Sequence, residues 1–309
     1  MPIPRILRAS LLLVALAAPA AADKVDLAPT LAPGSTARYS FISENKQESR
    51  IVNGREQSST AATESRLLLR IRPDKPADAA AGALLELTYE RLAFHLETAT
   101  SIVDFDSDKA ETLPEEQRGT PMALAVKAIV GAPVLCTLNQ AGELVAIDTA
   151  AIKPPEGPAS SIVRQLLAKD AVADIVNAIF NVRPPPTESG VGDTWTRTRT
   201  LPAFGGGMKM KQDYTVAQIN PEKAMIRLEG AITLEGTTEE AAKFLTVKQG
   251  TVSGATEWDV KAGRAIAVDF SSVAEVEDSN PAMKGVIVVS KNTSKQRIQA
   301  IPAAAPAKP

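Results

Sequence analysis

The sequence predicts a mainly β protein of the α+β kind: an antiparallel curved sheet or half-barrel, duplicated along the chain, with a few covering helices. Three observations predict it. Thr256 to Phe270 (TEWDVKAGRAIAVDF) alternates apolar and polar residues, turns at Lys261-Ala262-Gly263 and alternates again, the pattern of a β-hairpin. Thr137 to Asp148 (TLNQAGELVAID) has nearly the same form, and an ungapped alignment sets Ala141 on Ala262, Gly142 on Gly263, Ala146 on Ala267, Asp148 on Asp269 and Thr137 on Trp258. Two more landmarks recur in the same order: Gly34-Ser35-Thr36-Ala37 against Gly192-Asp193-Thr194-Trp195, and Arg72-Pro73-Asp74-Lys75 against Asn220-Pro221-Glu222-Lys223.

Taken in order, the chain opens with Arg5 and Arg8, an apolar run from Leu11 to Ala18, and Ala20-Ala21-Ala22 before Asp23. A basic segment, a short apolar segment and a small-residue site form a secretory signal peptide, with cleavage expected after Ala22. The run is shorter than the roughly 20 apolar residues of a bilayer span. A periplasmic or secreted protein is therefore expected, without a transmembrane segment in the mature chain.

Gly34 opens a strand over Thr36 to Phe41, and Asn53-Gly54 marks a hairpin because both turn positions favour positive φ. The residues around it are polar, so this hairpin is expected to project from the body. Ser65 to Arg72, Leu84 to Phe94 and Ser101 to Phe105 read as strands. At Thr120 the period changes: Thr120 is a helix N-cap, Pro121 suits the first turn, and Met122, Val126, Ile129 and Val130 follow at helical spacing. Ser160 to Asn181 is the clearest helix, with Ile162, Val163, Leu166, Val172, Ile175, Val176 and Ile179 as its apolar stripe and a bend at Asp170. Pro184-Pro185-Pro186 ends it stiffly.

Beyond Gly190 the strand pattern restarts. Met210 to Ile219, Ala224 to Leu234, Gly250 to Trp258, Arg264 to Val276 and Lys284 to Ile301 are expected strands, and Thr238 to Phe244 a short helix. The expected division is 1–22 signal peptide, 23–183 N-terminal β half with helices, 184–301 C-terminal β half and 302–309 disordered tail.

Composition narrows the classes. Without Arg5 and Arg8 the charge balance is mildly acidic, which offers no electrostatic footprint for nucleic acid. Cys136 is the one cysteine, so an exported chain must rely on packing and not on an internal disulfide. It stands in an apolar run, where a buried inert thiol is expected. Aromatic residues are scarce, which argues against a stacking surface for sugars or bases.

No catalytic, cofactor or metal residue is assigned. Asp104, Asp106, Asp108 and Glu115 occupy positions 1, 3, 5 and 12 of a calcium loop, yet Lys109 stands where Gly is needed, Pro114 intrudes and a strand leads in. A solvated acidic loop is the expectation. Glu86 and Glu90 alternate onto one solvent-facing side of a strand. His95 is the chain's one histidine, so a usual zinc set lacks its second His. Gly205-Gly206-Gly207 lacks the Lys-Ser/Thr and helix of a phosphate loop, and reads as a mobile connection. Asn292-Thr293-Ser294 fits a glycosylation sequon. Asp148 and Asp269 read as strand-end residues.

In overall order (leader, long antiparallel strands, covering helices, the two glycine hairpins) the chain resembles the bacterial LolA/LolB-like half-barrel class of lipoprotein carriers, and secreted bacterial proteins with two such halves. The resemblance extends over residues 34–301 and is carried by Thr137–Asp148 and Thr256–Phe270. It implies an exported, non-enzymatic protein that binds an apolar ligand or lipoprotein in the cell envelope. It transfers no functional residue. The alternative is a structural or protein-interaction module without a small-molecule ligand, working through the Asn53-Gly54 hairpin or an exposed sheet edge.

Overall fold

The computed structural model describes residues 24–51, 54, 56–74, 81–184, 186–203, 206–234, 243–279 and 286–302. The first half contributes strands β2 (Thr36–Ile51), β3 (Glu56–Ile71), β4 (Ala81–Glu97), β5 (Ile102–Asp106), β6 (Pro133–Asn139) and β7 (Leu144–Asp148). Helices α1 (Glu115–Arg118) and α2 (Pro121–Ile129) lie between β5 and β6, and α3 (Pro158–Leu166) and α4 (Lys169–Phe180) follow β7. The second half contributes β9 (Thr194–Ala203), β10 (Gly206–Ile219), β11 (Lys223–Thr233), β12 (Leu245–Asp259), β13 (Arg264–Asp278) and β14 (Val288–Ile301). Two short segments, β1 (Val25–Asp26) and β8 (Glu188–Ser189), pair separately.

The sequence allows two half-barrels or one large curved sheet, and the structure is one sheet. Its 12 antiparallel strands run in the order β7-β6-β4-β3-β2-β14-β13-β12-β11-β10-β9, with β5 added beside β4. On either side of β14 lies a five-strand meander, β2-β3-β4-β6-β7 and β9-β10-β11-β12-β13. β14 welds them, pairing with β13 from Val288↔Asp278 to Gln299↔Ala267 and with β2 from Val288↔Ile51 to Ile301↔Arg38. That pairing also corrects the expectation of a projecting Asn53-Gly54 hairpin. β2 is flanked by β14 along its ladder, so the hairpin is the end of a wide sheet; Asn53 itself lies outside the described residues.

The repeated landmarks have matching backbone geometry. At the entry to β2, the Gly34 amide donates to the Ile71 carbonyl at 2.8 Å, Ser35 to Ala32 at 3.1 Å, and Ile71 back to Ser35 at 2.9 Å. At the entry to β9, Gly192 donates to Val216 at 2.8 Å, Asp193 to Gly190 at 3.1 Å, and Val216 back to Asp193 at 2.9 Å. Both glycines have positive φ, at 80° and 89°.

The two glycine hairpins differ by one residue. Leu138 pairs with Leu144 in the first, and Trp258 with Ala265 in the second. The counterpart of Trp258 in the first hairpin is thus Leu138 and not Thr137, because the loop closing at Asp259↔Arg264 holds one residue more than the loop closed by Asn139 and Glu143. A side-chain oxygen shapes each turn: Asn139 Oδ1 accepts the Ala141 amide two residues on, an Asx turn, and Asp259 Oδ1 accepts the Ala262 amide three residues on. Each glycine abuts a covering segment. A Cβ on Gly142 would stand 2.6 Å from the Phe180 carbonyl oxygen, and one on Gly263 2.2 Å from the Thr30 amide nitrogen.

The helices fill the inner face of the first meander. Leu67, Leu69, Leu85, Leu87, Val134 and Cys136 pack against Val126, Ile129, Val163, Val176 and Ile179. Thr120 caps α2 as expected, its hydroxyl accepting the Ala123 amide at 3.3 Å, with Pro121 in the first turn. The expected single helix from Ser160 to Asn181 is two helices. The break falls at Leu167-Ala168, where Ala168 turns extended at ψ 140°, so Asp170 enters the first turn of α4, where a carboxylate suits the helix dipole. The break lets α3 pack on α2 while α4 swings onto β7 and β13. The second meander keeps smaller clusters, one around Met208, Met210, Ile232 and Val276 and one around Val216, Ile226 and Trp258. Residues 1–23, 235–242 and 303–309, which hold the expected leader, most of the expected Thr238–Phe244 helix and most of the expected tail, lie outside the described residues.

Candidate functional site: a cavity behind helix α4

Strand registers define the inner wall of the second meander. Tyr214, Leu228, Gly254, Phe270, Gln296 and Ser43 stand in one cross-strand row; Gln212, Gly230, Val252, Ser272, Ser294 and Asn45 form the next. Glycines interrupt both rows. A Cβ on Gly230 would approach the Lys211 carbonyl oxygen to 2.0 Å, so the neighbouring backbone occupies the place of a side chain there. A cavity of about 670 Å3 lies between this wall and α4. Met210, Leu228, Val268, Phe270 and Ile298 supply apolar surface; Gln212, Thr256, Ser272, Ser294 and Gln296 supply uncharged hydrogen-bonding groups.

Helix α4 is amphipathic in an unusual sense, with both faces used. Val172, Ile175, Val176 and Ile179 are buried in the first meander's core. Asp174, Asn177, Ala178 and Asn181, at helical spacings of three and four residues (174/177, 174/178, 177/181, 178/181), face the cavity. The polar stripe also binds both free edges of the sheet. Asn177 Oδ1 accepts the Leu144 amide of β7 at 3.1 Å. On the opposite edge, Arg199 of β9 donates to Asp174 at 2.5 Å, and Arg197 donates to the Asn181 carbonyl at 2.7 Å and to its side-chain oxygen. The sheet does not close on itself, and α4 spans the gap, covering edges that would otherwise be open to other strands.

Aromatic rings brace this edge. Trp195 and Tyr214 are cross-strand partners stacked at 5.3 Å and 3°, with Arg183 5.0 Å over Trp195 and Arg197 5.7 Å over Tyr214. Burial lowers the Arg197 guanidinium from its usual range, because desolvation disfavours the charged form, and burial raises the Tyr214 hydroxyl.

The residues singled out by sequence lie elsewhere. Asp106 and Asp108 belong to an arginine-centred network on the outer face, and Asp104 beside them pairs with His95. Arg91 forks onto Asp106 with two bonds of 3.0 Å, reaches Glu64 at 2.6 Å and lies 3.6 Å from Asp108. Asp106 is held below the usual carboxylate range chiefly by that Arg91 bond. Glu115 begins α1. Among the described residues no three His, Cys, Asp or Glu side chains gather in an arrangement that could hold a metal. His95, exposed on β4, bonds through Nδ1 to Asp104 at 2.6 Å and has Glu97 at 3.9 Å. Glu90 accepts Arg38 at 2.9 Å and Glu86 faces Arg70 across the ladder, both on the outer face.

Gly206 and Gly207 are in strand β10, paired with Ala203 and Pro202, and not in a loop; Gly205 lies outside the described residues. Asn292 sits mid-strand beside Gln47. Cys136 is buried, and desolvation pushes its thiol up to about 12. Asp148 ends β7, but Asp269 is internal to β13 and bonded to Arg297 at 2.8 Å, which corrects its reading as a strand-end residue. Sequence reasoning missed Arg197 and Arg199. The signal was present in the alternation TWTRTRT, which places Trp195, Arg197 and Arg199 on one face of a strand.

No protein-family model and no curated protein matches the chain. Among solved structures, a lipovitellin structure concerned with lipid–protein interactions matches 90% of this chain at 14% identity and a TM-score of 0.47, the chain spanning 27% of that structure's length. A LolA superfamily protein from Nitrosomonas europaea matches 85% of this chain and 87% of its own length, at 9% identity and a TM-score of 0.14. OpdQ from Pseudomonas aeruginosa matches 87% of this chain and all of its own, at 7% identity and a TM-score of 0.20.

Proposed function

We propose that this chain is an exported, non-enzymatic binding protein that holds the apolar part of a ligand in the cell envelope. The cavity behind α4 carries the reading: about 670 Å3 is space for a small amphiphile, and the sheet wall offers apolar side chains interspersed with uncharged hydrogen-bonding groups. α4 is the element whose movement would open it, since its polar stripe bridges β7 and β9. In this reading the carboxylates of the outer face are structural, because arginines hold Asp106, Asp108, Glu64 and Glu90 and His95 holds Asp104. The two meanders, with their matched entry turns, are proposed to descend from one duplicated unit.

Solvent extraction of the purified mature protein, followed by mass spectrometry, tests the function. A stoichiometric co-purified lipid supports it. So does saturable binding of a fluorescent apolar probe that Ser272→Trp, which fills the cavity, abolishes without unfolding the protein. A probe that binds the Ser272→Trp variant as well as the wild type would sink the proposal.

One observation favours a second reading, a protein-interaction module. Strand β5 is a free edge with Ile102 64% exposed and Val103 40% exposed, beside Leu96 at 38%. A partner strand added there would shield these side chains. Substitution Ile102→Lys would then abolish capture of that partner while leaving probe binding intact.

A further inference from the structure

The cavity contains a cation whose partners are all neutral. Arg197 is half-buried on the inner face of β9, and its hydrogen bonds go to the Asn181 carbonyl and side chain, with the Tyr214 ring beneath it. Within the 4.0 Å ion-pair distance no carboxylate of the described residues reaches it. Of the acidic groups nearby, Asp174 is paired with Arg199, while Glu143, bonded to the neutral Asn139 side-chain amide at 2.9 Å, keeps its charge and acts on Arg197 from beyond ion-pair distance. Arg183, the other arginine of the aromatic stack, differs in having Asp193 at 3.5 Å.

A desolvated charge is ordinarily paired. The C-terminal end of α4 compensates part of the Arg197 charge, since the Asn181 carbonyl is a helix-end acceptor. The two bonds to Asn181 engage Nη1 and Nη2 at the end of the guanidinium and leave its Nε side unbonded among the described residues, and Arg197 lines the cavity alongside Gln212 and Met210. A planar fork in a partly apolar cavity matches a carboxylate or phosphate, which it can bind in two-pronged fashion. The apolar wall at Leu228, Phe270 and Ile298 is continuous with this position.

We infer that the ligand is an amphiphile with an anionic head, its carboxylate or phosphate at Arg197 and its hydrocarbon along Leu228, Phe270 and Ile298. This rests on the binding function proposed above and adds the charge of the ligand to it. It also gives Arg197 a role that helix capping alone does not require: discrimination between charged and neutral heads.

The test uses the mature protein with cis-parinaric acid and its methyl ester at pH 8, where the acid is ionised. The acid is expected to bind roughly tenfold or more tightly than the ester. Arg197→Gln is expected to reduce that preference to about threefold or less while ester binding persists, and Arg38→Gln, which removes an arginine bonded to Glu90 on the outer face, is expected to keep it. Competition by a lysophosphatidate against a monoacylglycerol then separates a phosphate from a carboxylate head. Equal binding of acid and ester, or an undiminished preference in Arg197→Gln, overturns the inference and leaves the carrier reading standing. Failure of both probes to bind overturns the two together. The wild-type comparison decides the matter even where Arg197→Gln does not fold.

Discussion

Asn177 of α4 accepts the backbone amide of Leu144 on β7 at 3.1 Å, so a helix side chain serves as the hydrogen-bond partner that an edge strand lacks. One turn earlier, Asp174 receives Arg199 from the far edge of the sheet. These contacts differ in weight. The Asn177 bond is partly buried, whereas the Asp174–Arg199 pair is about four-tenths exposed on both sides.

Substitution Asn177→Ala should therefore destabilise the protein by about 1–2 kcal/mol, since it strands the Leu144 N–H. Asp174→Ala should cost less than about 1 kcal/mol. Urea denaturation followed by tryptophan fluorescence measures both. The opposite order would mean that the edge bond is not what holds α4.

The hairpin glycines give a paired prediction. Gly263 has φ 55° and a Cβ there would meet the Thr30 backbone at 2.2 Å, while Gly34 has φ 80° with open space around it. Both Ala substitutions carry the left-handed penalty of about 1–2 kcal/mol. Only Gly263→Ala must also displace the segment at Thr30. It should lower the melting temperature distinctly more than Gly34→Ala does.

The single histidine allows a clean titration. The Asp104 bond, then its charge and that of Glu97, raise the His95 imidazole above its usual 6.5. A folded value above the unfolded one means the favourable contribution is whole at pH below the unfolded value and is lost as pH rises through the folded one. In proton NMR the one imidazole signal should titrate above 6.5, and Asp104→Asn should bring it down. An unchanged midpoint in that variant would deny the pairing.

Cys136 should report unfolding. Its thiol is buried in the first meander's core and held up to about 12, so almost no thiolate forms at pH 8. A disulfide reagent such as Ellman's should leave the native protein unlabelled and react with one thiol after denaturation. Rapid native labelling would place Cys136 at the surface.

Local physics made much of this fold legible. Alternation in TEWDVKAGRAIAVDF yields β12 and β13, Thr120-Pro121 starts α2, and the glycines at Gly34 and Gly192 open the first strand of each meander. Each depends on a few neighbouring residues and on backbone sterics, so each can be read from a short window. The one-residue slip at Thr137/Trp258 was not legible, because an ungapped comparison cannot show which residues close a loop.

The sequence by itself determined the strand class, the glycine hairpins and the placing of Trp195, Arg197 and Arg199 on one face of their strand. The tertiary structure decided that two meanders share one sheet through β14, that its edges stop on either side of α4, and that Arg197 meets Asn181 there. The reason is physical. Side-chain alternation is a local property with a period of two, whereas the coil of a sheet accumulates over a dozen strands and brings together residues from opposite edges.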